Sequence, residues 1–74
     1  MRFSNGVYAV VTLKKDIKED SSQSHYFYDN RSVYDFLIEH FDHNVAVDAQ
    51  CWTEMACVGE WYEEDGFEIE MMEE

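Results

Sequence analysis

The chain predicts one α+β domain: a small antiparallel sheet of two to three strands with two helices packed on one face, in the order β-β-α-α-β. Three observations carry this. Apolar residues alternate near both ends of the chain, over residues 7–13 and 67–72. Between them, apolar residues recur with the helical period. Two periods separated along one short chain are the mark of a sheet with helices gathered on one side. Third, 74 residues hold twelve aromatics, no proline and only three glycines, a composition of ordered rather than disordered chains. That length suits a single compact domain, residues 1–74, with one small core.

The first strand is read from Gly6 to Lys14. Val7, Ala9, Val11 and Leu13 alternate with Tyr8, Val10, Thr12 and Lys14. Both sets are apolar near the centre, so the strand is expected to be inner or covered. Residues 15–24 are polar and aperiodic, which reads as a mobile loop. His25 to Tyr28 form a short aromatic strand able to pair with the first. Asp29, Asn30 and Ser32 can cap a helix, and Arg31 to Asp42 read as that helix. Val33, Tyr34, Phe36, Leu37, Ile38 and Phe41 cover its apolar face; Asp35, Glu39 and Asp42 line the other. The wheel puts His40 at the apolar edge, as a boundary core residue.

After a break at His43-Asn44, a second helix is expected from Val45 to Val58. Val47, Cys51, Met55, Val58 and Tyr62 fall on its predicted inner arc, with Trp52 close by. Asp48 falls inside that arc too, unless it caps a helix starting one turn later. Gly59 is placed to end the helix, and Asp65-Gly66 signals a turn. Phe67, Ile69 and Met71, alternating with Glu68, Glu70 and Met72, give the last strand.

Charge is the strongest feature of the sequence. Seventeen acids face five Lys and Arg, for a net charge of −12. Residues 1–31 hold all five basic residues and four acids; residues 32–74 hold the other thirteen acids and no Lys or Arg. Thirteen like charges in that half oppose compaction, so the load is read as used, beyond solubility alone. It speaks against direct nucleic-acid binding, which needs Lys and Arg on phosphates, and against anionic membranes. No run reaches the length of a membrane helix. The first residues lack an apolar secretory stretch. The expected place is a cytoplasm.

Site chemistry is mostly excluded. His40 and His43 form an HxxH pair near Cys51 and Cys57, yet no zinc spacing is present. Six residues apart on a helix, the two cysteines point different ways and read as buried thiols of a reducing compartment. The acidic tail lacks a calcium-loop pattern. Three scattered glycines build no phosphate cradle, and no nucleophile motif is present. Catalytic, cofactor and metal residues are therefore expected to be absent.

What remains is an acidic, aromatic surface for a protein partner. Glu60, Glu63, Glu64, Asp65, Glu68 and Glu70 are interleaved with Trp61 and Tyr62, and Asp35, Glu39 and Asp42 add a helical cluster. Rows of carboxylates on a strand and a helix, side by side, imitate a run of phosphates. Trp and Tyr are common interface anchors; Phe67 is read as closing the core.

In length, in the acidic half from Ser32 to Glu74 and in its compact α+β pattern, the chain resembles small acidic proteins of phages and mobile elements that block host defence. These include anti-CRISPR and anti-restriction proteins. The resemblance is one of type, carried by no motif. It implies a stoichiometric inhibitor in the host bacterial cytoplasm, occupying the basic nucleic-acid groove of a nuclease or CRISPR effector complex. Arg2, Lys14, Lys15 and Lys18 do not suit a pure mimic and are expected to face away from the partner or to touch an acidic rim. The rival readings are a non-inhibitory adaptor held by the aromatic-acidic surface, and a homodimer burying the Trp52 and Met55 face.

Overall fold

A computed structural model describes residues 2–14 and 24–74. The order is β1 (Val7–Leu13), β2 (Ser24–Phe27), α1 (Asn30–Ile38), α2 (His43–Met55), β3 (Trp61–Glu63) and β4 (Phe67–Glu73). The α+β class with two helices is borne out. The sheet, however, has four strands, all antiparallel, in the order β2-β1-β4-β3. The expected order lacked β3. Its three residues, two of them aromatic, are too few to show an alternation, and they earn a strand only by pairing with β4 across the Asp65-Gly66 turn. The expected mobile loop lies outside the described residues except for Ser24, which opens β2.

β1 is the inner strand its two-sided apolar pattern requires. It pairs with β2 through Ala9↔Phe27 and Val11↔His25, and with β4 through Ala9↔Met71, Val11↔Ile69 and Leu13↔Phe67. Those inward residues form the core with Val33 and Leu37 of α1 and Ala46 and Ala49 of α2. The helices thus cover one face of the sheet. No helix among the described residues is long and apolar enough to cross a membrane.

Two aspartates set the helix starts. Asp29 is extended and its carboxylate accepts from the Ser32 N–H at 2.7 Å; Asp42 accepts from the Val45 N–H at 2.9 Å. Each satisfies an N–H that the first helical turn leaves unpaired. The first helix therefore ends at Ile38, not at Asp42. Phe41 stays half-buried on Phe67, with ring centroids 5.0 Å apart, although it lies beyond the helix.

Three further expectations fall. The second helix begins at His43, where a break was expected, and it buries Ala46, Ala49 and Thr53. Most of the expected arc is the wrong side: Cys51 is exposed, Met55 is 78% exposed and Val58 49%, Val47 is half-buried, and only Tyr62, beyond the helix, packs against the core. Small side chains let α2 approach closely, so the buried stripe is the least hydrophobic-looking one. Asp48 is exposed and needs no capping role. Cys57 is exposed as well, so neither thiol is buried. His40 is exposed; it rests on the Phe36 ring at 4.8 Å instead of entering the core.

Candidate functional surface

The face of the sheet away from the helices is built by alternation. Since Ala9, Val11, Phe67, Ile69 and Met71 point inward, Tyr8, Val10, Thr12, Glu68, Glu70 and Met72 point outward. The registers line them into rows. Tyr26, Val10, Glu70 and Trp61 stand side by side across all four strands. Ser24, Thr12, Glu68 and Glu63 form the next row. Three strand spacings put Tyr26 roughly 14 Å from Trp61. A shallow groove of about 220 Å³ runs between Val10, Thr12, Trp61, Glu68 and Glu70.

Trp61 is 68% exposed on this face. Glu68 and Glu70 have no Lys or Arg within ion-pair distance among the described residues. Glu63 differs: Lys14 Nζ lies 3.0 Å from its Oε2. Lys14 therefore sits at the acidic face of its own chain, while Lys15 and Lys18 lie outside the described residues.

The eleven expected partner-binding residues divide by location. Trp61, Glu63, Glu68 and Glu70 share the open face. Glu64 and Asp65 lie in the exposed turn between β3 and β4. Glu60 closes the turn before β3, its carboxylate accepting from the Cys57 N–H at 2.7 Å. Tyr62 points inward, half-buried against Trp52 at 5.4 Å and Phe67 at 6.1 Å. Its hydroxyl donates to Glu64 Oε1 at 2.6 Å. Burial first, then that carboxylate, pushes the Tyr62 phenol up to about 12. Asp35, Glu39 and Asp42 belong to the helical layer on the other side of the sheet. Asp35 is approached by Arg31 at 3.6 Å, and Asp42 is occupied as a cap. The strand row and the helix row are not side by side.

Sequence reasoning missed the tyrosines. Tyr8, Tyr26 and Tyr28 gather at one corner of the open face, with Tyr8 5.8 Å from each of the others. Their signal was the outward set of β1 together with the aromatic β2: β1 is inner, as expected, but neither helix lies on this face of it. Among the described residues, no group of three His, Cys, Asp or Glu is arranged to hold a metal ion. His40 stacks on Phe36, and His43 Nδ1 lies 3.0 Å from the Tyr34 hydroxyl. Comparisons with protein-family models, curated proteins and solved structures find no match.

Proposed function

We infer that this protein binds and inhibits a nucleic-acid-binding host defence complex, a CRISPR effector or a restriction enzyme, by offering its carboxylates where that complex expects phosphates. The observation that carries the reading is the open sheet face, where Glu68 and Glu70 stand beside exposed Trp61 with no Lys or Arg within ion-pair distance among the described residues. Two residues along a strand span roughly 6.8 Å, the length of helix axis over which one DNA strand carries two phosphate charges at about 3.4 Å each. Lysines and arginines lining a nucleic-acid groove would meet β4 much as they meet a backbone. Attraction of this kind speeds capture and weakens with salt. Trp61 supplies an apolar anchor at the edge of the charged row, so that binding does not rest on charge alone.

A non-inhibitory adaptor is the second reading, favoured by exposed Tyr26 and Trp61 on the same face. Self-association through that face is opposed by charge, because a second copy would bring further carboxylates against Glu68 and Glu70.

The test is inhibition of purified CRISPR effectors and restriction enzymes, with added duplex DNA or guide RNA as competitor. Stoichiometric inhibition, relieved by competitor and by salt, is the expected result. E68K/E70K should abolish it, while D35K/E39K on the helical layer should retain it. Partner binding that ignores salt and nucleic acid would replace inhibition by the adaptor reading.

A further inference from the structure

The corner formed by Tyr8, Tyr26, Tyr28 and Glu74 has no part in the groove around Glu68 and Glu70. Tyr26 and Tyr28 are two residues apart and 61% and 45% exposed. The Tyr8 ring lies 5.8 Å from both, at 77° to Tyr26 and 46° to Tyr28, so the rings are turned to one another as walls. A shallow hollow of about 260 Å³ opens between the three rings and Glu74. The Tyr28 hydroxyl donates to Glu74 Oε1 at 2.8 Å, which fixes the carboxylate at the rim. The Glu74 N–H in turn donates to the Gly6 carbonyl at 2.8 Å. Glu74 has no ion-pair partner among the described residues. The hydrogen bond to Glu74, then the charge of that carboxylate, holds the Tyr28 phenol above its ordinary pKa.

Aromatic faces carry negative potential and attract cations within about 6 Å of the ring centre. A carboxylate at the rim adds a directional acceptor. A planar guanidinium satisfies both, stacking on a ring while its forked N–H groups reach the carboxylate. A lysine ammonium satisfies the charge but not the plane.

We propose that the Tyr8–Tyr26–Tyr28–Glu74 corner is a binding subsite for one arginine side chain of a protein partner. The occupant follows from charge complementarity: an acidic rim, π faces and, on the same sheet face, Glu68 and Glu70, which have no ion-pair partner among the described residues. The inference rests on the partner's being basic, as in the reading above. It adds that an arginine is read individually, at the far end of the sheet from Trp61.

The test is a nuclear magnetic resonance titration of the full chain with acetyl-Gly-Arg-Gly-Arg-Gly-amide, its lysine counterpart and its citrulline counterpart. The expected result is saturable movement of the Tyr8, Tyr26 and Tyr28 ring signals, with the arginine peptide bound about fivefold more tightly than the lysine peptide. Citrulline, which lacks the charge, should move nothing. Tyr26→Ala and Glu74→Gln, both at exposed positions, should each weaken binding about fivefold with the amide spectrum otherwise native. Unmoved rings, equal response to lysine, or full affinity in both variants would overturn the subsite. Those results leave nuclease inhibition and its loss in E68K/E70K untouched, so failure here is distinct from failure of the inhibitor reading.

Discussion

Glu63 on β3 stands directly across the ladder from Glu68 on β4, and Lys14 reaches Glu63 at 3.0 Å. Like charges opposed across a sheet are destabilising. Lys14, whose backbone N–H also donates to the Gly66 carbonyl at 2.9 Å, relieves the clash at one end of the pair. Glu68, on the open face, has no Lys or Arg within ion-pair distance among the described residues.

Lys14→Gln should therefore lower stability by about 0.5–1 kcal/mol, the scale of a surface ion pair with added repulsion. Urea denaturation at low salt measures it. Glu63→Gln in the Lys14→Gln background should restore most of the loss, and high salt should shrink it. An unchanged midpoint in Lys14→Gln would mean that the pair contributes nothing.

The buried side of α2 makes a sharper prediction, because it inverts the hydrophobic pattern. Ala49 has no exposed surface, whereas Met55 is 78% exposed. Ala49→Leu, which makes α2 more apolar, should cost about 1–3 kcal/mol by overpacking. Met55→Ser, which makes it less so, should stay within about 0.5 kcal/mol. A reversed order in thermal denaturation would return the inner face to Cys51 and Met55.

This helix marks where the sequence stopped being legible. Hydrophobic periodicity located β1, α1 and β4, since there most of the large apolar residues turn inward, although Ile38, expected on the apolar face of α1, is exposed. On α2 the packing surface is alanine and threonine, which hydropathy hardly weighs, and the exposed side carries Met55 and Cys51. Strand β3 was hidden for another reason: its existence depends on pairing with β4, a contact distant from local propensity. The acids were legible as a population but not as a surface. Only pairing registers reveal that Glu68 and Glu70 share a face with Tyr8, Tyr26 and Trp61 while Asp35 and Glu39 do not.

Gly66 is required by a close approach. A Cβ there would meet the end of the Phe41 ring, which packs on Phe67. Gly66→Ala should force Phe41 off Phe67 and cost about 1–3 kcal/mol. In a Phe41→Ala background the same substitution should cost little, and urea midpoints of the four chains give the coupling directly. Additive losses would place the strain elsewhere.

Asp29 links α1 to acid stability. The backbone N–H of Ser32 donates to its carboxylate and holds the carboxyl below its usual range. A lowered folded-state pKa stabilises the fold above the unfolded value, and the contribution is lost as pH falls through the folded value. Asp29→Ala should cost about 1 kcal/mol near neutral pH. The gap between wild type and variant should close on acidification, followed by circular dichroism across a pH series. A pH-independent gap would make the loss one of packing alone.

Tyr62 sets the opposite limb. Its phenol, buried against Trp52 and bonded to Glu64, titrates near 12 against an ordinary value of 10.0. A raised folded-state pKa favours the protonated form in the folded chain. Its stabilisation is complete below about pH 10 and is lost as pH rises from there through about 12. Tyrosinate absorbance should show the last ionisation disappear in Tyr62→Phe, with the other tyrosines unshifted. The decline of wild-type stability above pH 10 should also become shallower in that variant, because phenylalanine has no proton to lose. An alkaline limb identical in both chains would mean that Tyr62 ionises as freely in the folded state as in the unfolded one.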